Sequence, residues 1–245
     1  MSARFEELAY RETSIGALSL RRRFDPMLRV EVYEVKIDDE FLMSSLFTVA
    51  EIELARLGLT ASTGVGLDVV VGGLGLGYTA RAVLDDDRVR SMTVVDAIAE
   101  VIDWHERELL PFAAVVTTDP RSRLVLGDFF AMARGDGFDP RQPGRRFDAV
   151  LLDVDHSPRH VLHPDNAALY TVDGMRRLAT HLRPGGVFAL WSNDPPDEPF
   201  TAVLREVFAD ATAHVVRFPN PLQDREATNT VYVAVTAPGG AAEDR

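Results

Sequence analysis

The sequence predicts an α/β fold with a mostly parallel sheet of seven strands, an antiparallel pair at one edge and a small β region ahead of it. Three observations predict it. From Leu67 onward, apolar runs alternate with helix-like segments, as expected of strands joined through crossover helices. A glycine cluster, Gly72-Gly73-Leu74-Gly75-Leu76-Gly77, directly follows the first of those runs. The last two runs, 215–218 and 230–235, have no room for a helix between them, so they pair antiparallel.

The elements follow in order. Residues 1–15 are polar and read as a tail. Alternation through Leu18, Leu20, Val30, Val32, Tyr33, Val35, Ile37, Phe41 and Met43 predicts a hairpin or three-stranded meander. Residues 47–58 have helical spacing and stop at Gly58. Strands are then expected at 67–71, 92–95, 124–126, 149–152 and 187–191, with helices at 79–84, 97–110, 129–133, 166–182 and 200–208. Arg183-Pro184-Gly185-Gly186 reads as a turn. The domain reading is a tail and β region over 1–46, an α/β domain over 47–236 and a loose tail over 237–245.

Composition narrows the chemistry. The chain has 245 residues, 38 Asp+Glu and 26 Lys+Arg, for a net charge of −12. That length suits one large domain. The absence of cysteine excludes disulfides, thiolate catalysis and Cys-ligated metals. Lys36 is the sole lysine, so a Schiff-base enzyme would depend on it alone. The acidity opposes nucleic-acid binding and suits a cationic substrate. No apolar run is long enough to span a bilayer, and the start lacks a basic segment followed by an apolar core, so a cytoplasmic protein without membrane contact is expected. No G-x-S-x-G elbow or P-loop is present.

Sheets of this type bind ligands beyond the carboxyl ends of their strands, beside the point where strand order reverses. Gly73, Gly75 and Gly77 let the backbone pass close to a nucleoside. Gly75-x-Gly77-x-x-Ala80 formally fits a dinucleotide fingerprint but starts four residues past Val71, late for a pyrophosphate turn. Gly73-x-Gly75-x-Gly77 better fits the nucleoside loop of S-adenosylmethionine (SAM) enzymes. Asp96 ends the next strand, 19 residues after Gly77, where a carboxylate accepts ribose hydroxyl protons. Asp128 ends the third, placed for an adenine amino group, with Phe129 available to stack on the ring; alone, the pair reads equally as a helix N-cap and a core ring.

Asp153 ends the fourth strand and Asp155 follows it. A carboxylate there takes a proton from an attacking amine, holds the amine as a cation, or binds a divalent metal. His156, His160 and His163 read as solvated loop residues, and Asn193-Asp194 as an Asx turn before Pro195-Pro196. Glu51 reads as helix-surface charge, and Trp104 and Trp191 as core. No metal site is assigned.

On these residues the chain resembles the spermidine synthase-like (polyamine aminopropyltransferase-like) family, within the Rossmann-like class I SAM-dependent methyltransferase fold. The resemblance runs from about Leu18 to Val235 and rests on the glycine cluster, Asp96, Gly127-Asp128, Phe147-Asp148-Ala149-Val150-Leu151-Leu152-Asp153 and Leu182-Arg183-Pro184-Gly185-Gly186. It implies that Asp96 holds the ribose, Asp128 lies by the adenine and Asp153 positions or deprotonates the amine, assisted by Asp155 or Tyr170. It also implies a homodimer, and transfer of an aminopropyl group from decarboxylated SAM to a small cationic amine. Three places depart from the family pattern. The glycine loop offers leucines where the family carries an Asp. Asp155 stands two residues after Asp153, where the family spaces its acids by three. Residues 44–51 lack the family's Tyr-His pair. Two reactions therefore stay open: aminopropyl transfer from decarboxylated SAM, and methyl transfer from SAM to a small molecule, with or without a metal. A non-enzymatic nucleoside-binding module is disfavoured by the intact set Asp96, Asp128 and Asp153.

Overall fold

The computed structural model describes residues 5–13 and 16–239. Four antiparallel strands come first, β1 (Phe5–Thr13), β2 (Gly16–Asp25), β3 (Val30–Ile37) and β4 (Glu40–Ser44), in sequential order. Strand β1 corrects the reading of residues 1–15 as a tail; residues 1–4, 14, 15 and 240–245 lie outside the described residues. It pairs although it is polar. Glu6 and Glu7 stand directly opposite Arg22 and Arg21, with ion pairs of 2.6 and 3.6 Å. Opposite charges across a ladder favour that register. Leu18, Leu20 and Val35 are fully buried and share one apolar core with the helix that follows.

That helix, α1 (Val49–Ala61), runs through Gly58 rather than stopping there. The glycine is a packing device: a Cβ on it would sit 2.5 Å from Leu151 Cδ2, so the helix lies close against the sheet only without one.

The main chain then alternates as β5 (Leu67–Gly72), α2 (Tyr78–Leu84), β6 (Val89–Asp96), α3 (Ala99–Glu106), α4 (Ala113–Thr118), β7 (Ser122–Leu126), α5 (Phe129–Arg134), β8 (Phe147–Leu152), α6 (Val172–Ala179), β9 (Leu182–Ser192), α7 (Glu198–Val207), β10 (Asp210–Asn220) and β11 (Arg225–Val235). The long helix expected over 97–110 ends at Glu106, and the one expected over 166–182 is a 3₁₀ turn, Pro164–Tyr170, followed by α6. The side chain of Thr171 caps α6 by accepting from Gly174 N, which starts a new helix there. The supposed turn 183–186 belongs to β9.

The seven strands lie in the order β10-β11-β9-β8-β5-β6-β7. Strands β9, β8, β5, β6 and β7 are mutually parallel, and β11 runs antiparallel to both β9 and β10. This is the predicted fold class. Helices cover both faces, so alternate residues of one strand enter different cores: Val69 and Val71 one, Val70 the other. Strand order reverses at β5, between β6 and β8, and the carboxyl ends of those strands are the place for a ligand. No helix among the described residues is long and apolar enough to cross a membrane.

Candidate active site

A cavity of about 430 Å³ opens at those strand ends. Its floor is the loop after β5. Gly73, Gly75 and Gly77 all line it. Gly73 takes φ +94°, and a Cβ there would overlap the Asp153 carbonyl oxygen, so only glycine lets the loop cross β8 this closely. His105, fully buried on α3, supports the loop from below, with Nε2 3.1 Å from the Gly75 carbonyl. A carbonyl accepts only a donor, so Nε2 carries the proton. Burial pushes the imidazole pKa down and keeps the ring neutral.

Asp96, at the end of β6, lines the cavity and braces the same loop. Its oxygens accept from Leu74 N and Ile98 N, both at 2.8 Å. Burial still raises its pKa above the ordinary carboxylate value. Asp128 caps α5, with Oδ1 accepting from Phe130 N at 2.8 Å and Ala131 N at 3.1 Å. It is exposed and also lines the cavity, so the N-cap and cavity-lining readings both hold for this residue. Phe129 lines the cavity yet is 3 % exposed and stacks on Phe138 at 4.7 Å. The core already occupies one face of its ring.

Asp153 follows β8 and lines the cavity, but Asp155 and Tyr170 do not. The loop after Asp153 turns Asp155 into the core, where it is fully buried. It accepts from Leu162 N at 2.7 Å, Asn166 Nδ2 at 2.9 Å and the Tyr170 hydroxyl at 2.7 Å. The reading of Asp155 and Tyr170 as assistants at the amine is corrected on this geometry: every hydrogen bond they share ties the 154–170 segment to itself. Asp155→Ala leaves three donors short of an acceptor and is expected to destabilise the fold by about 3 kcal/mol in a urea titration.

The partner of Asp153 is a residue the sequence reading set aside. Glu51 lines the same cavity from α1. Thr79, on α2, joins the two: its hydroxyl lies 2.9 Å from Asp153 Oδ2 and 3.3 Å from the Glu51 carbonyl. Glu51 Oε2 is buried and has no hydrogen-bond partner. Burial raises the Asp153 carboxyl to about 6, partly offset by the Thr79 hydroxyl. Burial and then the neighbouring Asp153 charge push Glu51 up to about 8. Between those values the pair holds one proton and one negative charge.

A stability test follows. The fold prefers protonated Glu51, so its cost is absent below the ordinary value of 4.5, grows as pH rises to about 8, and is complete above that. Glu51→Gln is therefore expected to gain on the order of 2 kcal/mol relative to wild type between pH 5 and pH 9 in urea unfolding. A difference independent of pH would contradict the burial of this acid.

Leu42, Met43 and Phe47 close the cavity from β4 and the segment after it, and Trp191 lines it from β9. Trp104 is core as expected, whereas Trp191 faces the site with a buried Nε1 that has no partner. Of the loop histidines only His156 reaches the cavity. His160 Nδ1 lies 2.8 Å from Asp194 Oδ2, and Asn193 Oδ1 accepts from Asn229, so neither member of the Asn193-Asp194 turn lines the site. His163 caps the 3₁₀ turn.

The arrangement is shared with known proteins. Residues 53–206, more than half of the chain, match the family model of the spermine/spermidine synthase domain. The chain is 30 % identical over 163 residues to polyamine aminopropyltransferase 2 of Pseudomonas aeruginosa, covering 62 % of this chain and 43 % of that protein. It is 28 % identical over 146 residues to polyamine aminopropyltransferase 2 of Hyperthermus butylicus, covering 58 % and 43 %. The chain thus matches under half the length of these curated relatives. Among solved structures, the spermidine synthase of Thermotoga maritima has a TM-score of 0.68 at 17 % identity, covering 94 % of this chain and 72 % of that one. A spermidine synthase in complex with the transition-state analogue AdoDATO has a TM-score of 0.71 at 18 % identity, covering 94 % and 74 %. At those identities the structures share the fold. Because the family model spans the glycine turn and the acids Asp96, Asp128 and Asp153 in one continuous stretch, the chain belongs to the spermine/spermidine synthase family.

Proposed function

We propose that this protein transfers the aminopropyl group of decarboxylated SAM to a small amine. One observation carries this over methyl transfer: the acidic side chains Glu51, Asp96, Asp128 and Asp153 line the cavity, and no Lys or Arg does. SAM bears a carboxylate that decarboxylated SAM lacks. Buried among these acids, that carboxylate would have no cationic partner and would meet like charge, which is costly. An aminopropyl ammonium and a sulfonium suit the same lining.

In this reading Asp96 accepts the ribose hydroxyls and Asp128 an adenine amino proton. Asp153 orients the acceptor amine. The amine attacks in its neutral form, and its lone pair forms a C–N bond to the aminopropyl carbon beside the sulfonium. The C–S bond breaks, its electron pair stays on sulfur, and methylthioadenosine leaves. The new secondary ammonium passes its proton to Asp153. Most of the acceleration comes from in-line positioning and from keeping the amine unprotonated. With Asp153 needed as a carboxylate, kcat/KM is expected to fall below about pH 6. The homodimer and the cytoplasmic location belong to the same proposal, and sedimentation and cell fractionation test them.

Calorimetric titration with the two nucleosides tests the central choice. Decarboxylated SAM is expected to bind at least ~10-fold more tightly than SAM. The reverse order would favour methyl transfer.

A further inference from the structure

The four acids lining the cavity are not equivalent. Asp96 is committed to the glycine loop through Leu74 N and Ile98 N, and Asp128 to the start of α5 through Phe130 N and Ala131 N. Both stand at the β6 and β7 strand ends. The acceptor side retains Glu51 and Asp153, held together through Thr79. The rest of that side is carbon: Leu42, Met43, Phe47, Val154, Leu162 and Trp191.

Charge counting then constrains the acceptor. Glu51 and Asp153 together carry one negative charge near neutral pH, because burial keeps a proton on the pair. One amine nitrogen is matched there. The second ammonium of a diamine would lie several carbons away among apolar side chains with no acid to receive it. An unpaired buried ammonium is costly, whereas a hydrocarbon tail is at home there.

We infer that the acceptor is a primary monoamine with an apolar body, an alkylamine or arylalkylamine, its nitrogen seated between Glu51 and Asp153 and its tail against Phe47, Leu162 and Trp191. The inference rests on the aminopropyl-transfer reading. Its step is the one given above: the amine forms the C–N bond, the C–S bond breaks onto sulfur, and the proton goes to the carboxylate pair.

The test measures methylthioadenosine release by the wild-type protein from decarboxylated SAM. The acceptors are n-butylamine, n-hexylamine, 2-phenylethylamine and 1,4-diaminobutane. The best monoamine is expected to exceed the diamine in kcat/KM by at least ~10-fold. Equal or better use of 1,4-diaminobutane overturns the inference and leaves aminopropyl transfer standing. Release with none of the four overturns both. Glu51→Gln adds a second readout: KM for n-hexylamine is expected to rise at least ~10-fold with unchanged affinity for decarboxylated SAM. An unchanged KM removes Glu51 from the acceptor seat.

Discussion

Asp153→Asn is expected to lower kcat by ~10³-fold while the affinity for methylthioadenosine stays within about threefold of wild type. The asymmetry follows from where Asp153 stands. It ends β8 beside Glu51, with Oδ2 on the Thr79 hydroxyl. The loop residues that meet the nucleoside are braced by Asp96 instead. Asparagine keeps the shape and one acceptor oxygen, but it takes no proton at neutral pH. The Thr79 hydroxyl can still donate to that oxygen, so the fold should tolerate the change. Turnover by the variant at more than about a tenth of the wild-type rate would remove Asp153 from the chemistry.

The second large effect lies at the other end of the cavity. Asp96→Ala is expected to weaken nucleoside binding by at least ~100-fold, about 3 kcal/mol. Two losses combine. The ribose hydroxyls lose their charged acceptor, and Leu74 N and Ile98 N lose the oxygens that hold the glycine loop in place. Asp96→Asn keeps one acceptor oxygen, so its loss should be smaller. Calorimetry with methylthioadenosine reads both variants, and wild-type affinity in Asp96→Ala would refute the ribose assignment.

The parts of this molecule legible in sequence are those set by local rules. A buried parallel strand is apolar on both faces, so 67–71 stood out, and the glycine turn after it marked the reversal of strand order. Asp96, Asp128 and Asp153 were found by the same rule, because a strand end is visible as the last residue of an apolar run. Other features depend on partners distant in sequence. Strand β1 is held by ion pairs to Arg21 and Arg22, so its own residues look like a tail. Gly58 stops nothing because Leu151, from β8, needs the space. Asp155 was misplaced because its environment is made by Asn166 and Tyr170, residues brought back by a loop.

Glu51 is the instructive miss. It was read as surface charge, yet Glu51, Leu54, Ala55, Gly58 and Leu59 follow the spacing of one helix face, and the last four are buried. An acid on an apolar stripe was the available signal. What the sequence lacked was the other half of the pair, since Asp153 meets it only after α1 packs beside β8 and α2.

The most direct measurement is product analysis by mass spectrometry, with the protein incubated with n-hexylamine and either decarboxylated SAM or SAM. The account predicts methylthioadenosine and an amine heavier by one aminopropyl group from decarboxylated SAM, and no transfer from SAM. A methylated amine and S-adenosylhomocysteine from SAM, with decarboxylated SAM inert, would contradict it.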